Sequence, residues 1–160
     1  MEPLREMFRH HAWATLTLLD FCAGLPAAQL SETAPGTYGA VLPALQHLVS
    51  ADQRYLWLIT REEGNPRIHE SLTLTLAELR AGMEAQTKRW EAILDRVDEL
   101  DVTIPARGES PETPHATNLL LLQAIQHGND HRTQACTVLS VLGVEPPELD
   151  GWNYWGATRG

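Results

Sequence analysis

His127 and His131 stand one helical turn apart in the run from Leu119 to Cys136. At 100° per residue they lie about 40° apart around a helix axis. Two imidazoles at that spacing can share one metal ion, each nitrogen about 2.0–2.1 Å from it if the metal is zinc. The stripe they occupy runs Leu120, Ala124, His127, His131, Ala135, Val138 and Leu142, and is otherwise apolar and core-facing. A buried imidazole without partners is costly. The pair therefore needs either a metal or hydrogen bonds, and HxxxH alone does not decide between them. A third ligand would.

His47 is the candidate. It lies on the inward face of another helical segment, one turn from Ala44 and one turn from Ala51. Small neighbours leave room beside an imidazole, although alanines also serve close helix packing. Three neutral imidazoles leave one or more coordination positions open, the arrangement of a catalytic rather than a closed structural site. Two further polar residues interrupt an apolar stripe near the start of the chain. In the series Leu4, Phe8, His11, Thr15, Leu18 and Cys22, His11 and Thr15 stand where a simple bundle would carry leucine. They are expected to point into the same pocket and orient a substrate. Asp130, beside the ligands, is a candidate outer partner for an imidazole N–H, and surface exposure explains it equally well. Gly128 follows His127, so the motif is not HExxH. The glutamate that metalloprotease chemistry uses as base is missing, which disfavours peptide hydrolysis.

The elements that must position these residues are helices. The first is expected from Pro3 to Gly24, with proline near its first position and glycine as its stop. The second is expected from Thr37 to Glu63, with Pro43 in its first two turns and Gly64-Asn65-Pro66 ending it. A loop from Gly64 to Thr73 carries a solvent-facing His69. Thr75 and Glu78 have capping-box spacing and open a third helix reaching Leu100, buried through Leu79, Met83, Trp90, Ile93, Leu94 and Val97. Asp101 to Pro105 is a short extended piece. Thr113 and Pro114 are expected as N-cap and first residue of a fourth helix ending at Gly143. The tail from Leu149 to Trp155 is too aromatic for a free end and is expected to pack on the bundle or on a second subunit. Four long amphipathic helices with few convincing strands predict an all-α, four-helix bundle in one domain, residues 1–160.

Composition narrows the partners. The chain carries 12 basic and 21 acidic residues, a formal charge of −9, and Lys88 is its one lysine. No basic patch forms at helical spacing, so no nucleic-acid partner is expected. No apolar run of about 18 residues exists, so no membrane span is expected. Glu2, Arg5 and Glu6 interrupt any apolar leader at the start. Cys22 and Cys136 lie on predicted helices, outside CxxC spacing, and are expected as reduced thiols in a cytoplasmic protein.

Over nearly its whole length the chain resembles the DinB/YfiT-like metalloenzyme family. The resemblance is carried by Phe8-Arg9-His10-His11-Ala12-Trp13-Ala14-Thr15, by Leu45-Gln46-His47-Leu48, and by His127-Gly128-Asn129-Asp130-His131-Arg132. It implies a four-helix bundle holding a divalent metal, often zinc or nickel, on His47, His127 and His131. It also implies a homodimer, and in several members a low-molecular-weight thiol cosubstrate. The expected function is a divalent-metal-dependent enzyme acting on a small molecule, as a thiol-dependent transferase or isomerase or as a hydrolase. The alternatives are a non-catalytic metal- or small-ligand-binding stress-response protein, and a structural dimer whose histidines are satisfied by hydrogen bonds.

Overall fold

Apolar residues recurring every three or four positions build four long helices, which close into a ring. The computed structural model describes residues 2–61, 73–105, 112–113 and 116–159. Helix α1 spans Glu2–Ala23, and a single turn, α2, spans Ala27–Leu30; α3 is Val41–Thr60 and α4 is Leu76–Leu94. A 3-10 turn at Val97–Glu99 precedes the two-residue strands β1 (Ile104–Pro105) and β2 (Glu112–Thr113); α5 is Thr117–Val141 and α6 is Gly151–Arg159. The largest contacts join α3 to α5 and α1 to α4, and α3–α4 and α1–α5 contacts complete the bundle.

Two apolar clusters fill it. One gathers Leu18, Leu19, Cys22, Leu45, Leu48, Leu79, Met83, Val138 and Leu139. The other gathers Phe8, Leu56, Ile59, Trp90, Ile93, Leu94, Leu120, Leu121 and Ile125. Each fully buried side chain of this size contributes about 1.5–3 kcal/mol, so the bundle has ample apolar support without a metal. Between the clusters in sequence, on all four helices, come the buried polar residues His11, Thr15, Ser50, Asp52, Gln53, Gln86, His131 and Arg132. The core is thus two apolar ends around a polar waist.

The predicted capping box is present: Glu78 N–H donates to Thr75 Oγ1, and the Thr75 N–H donates to Glu78 Oε2. Four boundaries differ from the sequence reading by three residues or more. The second helix begins at Val41 rather than Thr37, after a turn in which Gly36 takes φ +82°. Pro43 is then its third residue, where no intrahelical N–H bond is forfeited. That helix stops at Thr60 rather than Glu63, because Arg61 adopts a left-handed conformation at φ 53° and donates its N–H to Trp57 O. The third helix stops at Leu94 rather than Leu100, giving way to the 3-10 turn.

The fourth helix begins at Thr117 and not at Thr113. Thr113 is instead paired with Ile104 in the antiparallel β1–β2 ladder. Thr117 Oγ1 donates to Leu100 O and accepts from Val102 N–H, tying the helix start to the preceding segment. Pro114, Gly64-Asn65-Pro66 and His69 lie outside the described residues. Both cysteines are free, Cys22 buried and Cys136 half-buried. Burial pushes the Cys22 thiol up to about 12.

The aromatic tail divides. Asp150 Oδ1 accepts the N–H groups of Trp152 and Asn153, starting α6. Tyr154 is buried against Trp13 and His10, and Arg159 pairs with Glu6 at 2.7 Å. Trp152, at 89% exposure, and Trp155, at 52%, stay outside. Among the described residues no helix is long and apolar enough to cross a membrane.

Candidate metal centre

The three histidines singled out by spacing meet at the polar waist. His47 comes from the second turn of α3, and His127 and His131 from consecutive turns of α5, the helix packed most closely on α3. His47 Nε2 and His131 Nε2 each lie 3.1 Å from His127 Nε2. All three candidate ligand nitrogens fall within 4.8 Å of one another. His47 and His127 are half-buried and His131 is buried.

Hydrogen bonding alone serves this geometry poorly. A neutral imidazole nitrogen is either a donor or an acceptor. His127 Nε2 faces two other nitrogens at once, and one proton forms one good bond. A tetrahedral zinc site with nitrogens at about 2.0–2.1 Å places neighbouring nitrogens about 3.3–3.4 Å apart. The observed 3.1 Å separations are close to such an edge. The donor set suits a divalent ion of intermediate softness.

Electrostatics keep the lone pairs available. Burial, reinforced by repulsion from His131 and His47, pushes His127 down to about 4, against opposing attraction from Asp52 and Asp130. Burial and the nearby His47 also lower His131. Asp130 itself is exposed and acts on His127 and His131 through its field. His127 and His131, which resist protonation at neutral pH, keep their lone pairs ready for a cation.

Tyr38 was not singled out in the sequence. Its ring stacks on His47 at 4.6 Å and meets His131 edge-on at 4.8 Å. Its hydroxyl lies 3.3 Å from His47 Nδ1, an outer contact that turns Nε2 toward the other two rings. Gln134 on α5 accepts the Tyr38 N–H and anchors this segment. Tyr55 meets His127 edge-on at 5.9 Å. His131 Nδ1 is buried with no hydrogen-bond partner among the described residues, so no outer hydrogen bond on that nitrogen orients the ring. Nothing in the local spacing announces Tyr38, because a turn and not a helical period brings it to the site.

His11 and Thr15 sit beside the trio in a closed polar network. His11 Nε2 is 2.9 Å from Asp52 Oδ2, which also accepts the Trp90 indole N–H at 3.2 Å. Arg132 Nη1 reaches His11 Nδ1 at 3.1 Å and donates to Thr15 Oγ1 at 2.9 Å. Thr15 in turn donates to His11 O. Asp52 and Arg132 complete the network, and the sequence carries a signal for both. Asp52 lies in the buried stripe Leu45, Leu48, Asp52, Leu56 and Ile59, and Arg132 in the stripe Leu121, Ile125, Gly128, Arg132, Ala135 and Leu139. A charge inside an apolar helical period is the mark of a buried ion pair or site.

An open cleft of about 490 Å³ between α1, α4 and α6 is lined by Glu6, Arg9, Trp13, Tyr154 and Arg159, among others, and contains none of the three histidines. Its cations are already paired with Glu2, Glu6 and Glu91.

Set against known families, residues 1–160 match the model of the DinB family over the whole chain. No curated protein matches it.

Proposed function

The chain belongs to the DinB family, and from that premise we propose that it is a divalent-metal-dependent enzyme acting on a small molecule. The observation that carries the reading is the convergence of three Nε2 atoms, with His127 at 3.1 Å from both partners. His47, His127 and His131 would hold the ion, zinc or nickel. When bound, such an ion supplies Lewis acidity and stabilises a thiolate or hydroxide nucleophile near neutral pH. A thiol-dependent transfer or isomerisation suits three neutral ligands with open positions, and hydrolysis of a simple ester or amide is the related possibility. A low-molecular-weight thiol is the cosubstrate in the first case.

The chain's own residues divide the remaining work. Tyr38 orients His47, and the rings of Tyr38 and Tyr55 pack edge-on against His131 and His127. His11 and Thr15, expected at the substrate, have their polar atoms engaged by Asp52, Arg132 and the His11 carbonyl. Contact with substrate would require one of these bonds to be surrendered. We therefore assign them an orienting effect exerted through the network. A homodimer in the cytoplasm completes the proposal; the exposed Trp152 and Trp155 support the dimer, and the acidic composition and the two free cysteines fit a reducing compartment.

A non-catalytic metal- or small-ligand-binding protein is the second reading. It is favoured by the mutual engagement of Asp52, His11, Thr15 and Arg132, which leaves these groups no evident acid or base role. Turnover separates the two. Zinc- and nickel-loaded protein is assayed with thiols plus electrophiles, and with simple esters and amides. The enzyme reading expects turnover that disappears in His127→Ala; metal binding without turnover on any of these substrates supports the binding protein.

A further inference from the structure

The polar waist contains a buried cation and a buried anion joined by an imidazole. Arg132 and Asp52 are 4% and 1% exposed, and His11 between them is 1% exposed. A guanidinium only donates hydrogen bonds, so the His11 Nδ1 facing Arg132 Nη1 at 3.1 Å must be the acceptor. The ring proton then sits on Nε2 and is donated to Asp52 at 2.9 Å. One neutral ring therefore links the two charges, and the direction of both bonds is determined.

This chain of bonds reaches every long helix. His11 and Thr15 belong to α1, Asp52 to α3, Trp90 to α4, and Arg132 and its partner Asn129 to α5. The attachment to α5 falls on the turn that presents both ligand histidines: Gly128 follows His127, and Arg132 follows His131. A Cβ on Gly128 would lie 2.3 Å from His11 Cε1 and 2.5 Å from His11 Nδ1, so the His11 ring rests directly on the α5 backbone. On α3, Asp52 is held about one and a half turns beyond His47.

Apolar residues of the same volume would fill this waist without burying charge, and in many proteins do so at no loss of stability. What apolar packing lacks is direction: helices packed on alkyl surfaces can shift and rotate where hydrogen bonds forbid it. Ligand imidazoles must be held within about 0.5 Å of their working positions. We propose that the Asp52–His11–Arg132 network is the positioning device of the histidine trio, with His11 setting the rotation of α5 against α3 so that His127 and His131 face His47.

The inference rests on the metal reading above, and its test separates the two. Zinc affinity is measured by competition with a chelating dye, and site geometry by the visible absorption of the Co2+-substituted protein. His11→Leu removes both bonds. His11→Gln keeps an amide that can donate to Asp52 and accept from Arg132. The expected result is a loss of zinc affinity of about 10–100-fold in His11→Leu, the scale of lost outer-shell support, with an altered Co2+ spectrum. His11→Gln should restore most of both. Wild-type affinity and spectrum in a folded His11→Leu would overturn the proposal. Where His11→Leu does not fold, Asp52→Leu, of similar shape but without the oxygen that accepts from His11 and Trp90, takes its place with the same two outcomes. If the wild type takes up neither ion, the metal reading falls. The network is then judged on metal-free protein by the imidazole 15N resonances of His127 and His131. Shifts in His11→Leu that revert in His11→Gln uphold it, and unchanged resonances overturn it.

Discussion

At the scale of single residues, the centre is defined by imidazoles kept from carrying a proton. Burial and mutual repulsion push His127 from its ordinary 6.5 down to about 4, and His131 moves the same way. In the unfolded chain both titrate near 6.5. Between those values the unfolded chain binds more protons than the folded one, so acid favours unfolding. The contribution of His127 is intact above about pH 6.5, declines as the pH falls toward 4, and changes no further below that; His131 acts in the same direction. Urea midpoints of the metal-free protein measured from pH 7.5 to 4 should fall across this window, and the fall should be shallower in His127→Gln. An equal slope in both proteins would contradict the assignment. A bound metal faces the same competition from protons; imidazoles so depressed should hold it to more acidic pH than ordinary ones.

At the scale of elements, the sequence was most informative where helical period and cap chemistry speak together. The stripe Phe8, His11, Thr15, Leu18 and Cys22 is buried throughout, and the Thr75–Glu78 box forms as its spacing required. The histidines converge because i, i+4 spacing on α5 faces His47 on α3. Helix ends were less legible, since they depend on contacts made far away in sequence. Thr113 is a sound N-cap by type, yet the pairing with Ile104 claims it for a strand. Tyr38 was illegible because a glycine turn, not a period, carries it to the trio. Gly128 shows how packing overrides propensity. Alanine is normally the better helix former by about 1 kcal/mol, but a methyl group there would collide with the His11 ring. Gly128→Ala should therefore destabilise by about 1–3 kcal/mol, the usual cost of overpacking, in chemical denaturation. A stabilised variant would show that α1 and α5 are not in the contact described.

At the scale of the whole molecule, two apolar clusters hold the bundle together and the waist between them is reserved for polar chemistry. The same separation leaves α6 with one aromatic face on the bundle, through Tyr154, and Trp152 and Trp155 outside. Large exposed aromatics near one another mark an interaction surface more often than free solvent contact. With the proposed homodimer, light scattering at micromolar concentration should give twice the mass of 17.8 kDa, and Trp152→Ser/Trp155→Ser should shift it toward the monomer. A wild-type monomer at that concentration would contradict the dimer and leave the metal site untouched.

Whether His47, His127 and His131 hold a metal ion is decided by elemental analysis. Protein prepared without a histidine tag is incubated with zinc, dialysed, and analysed beside a His127→Ala/His131→Ala variant. Because the apolar clusters are complete without the trio, the variant should stay folded, with a circular dichroism spectrum like that of the wild type. Close to one zinc ion per wild-type chain and almost none in the variant are expected, together with loss of the zinc-induced rise in melting temperature. Full occupancy in the folded double variant, or none in the wild type, would contradict the metal site.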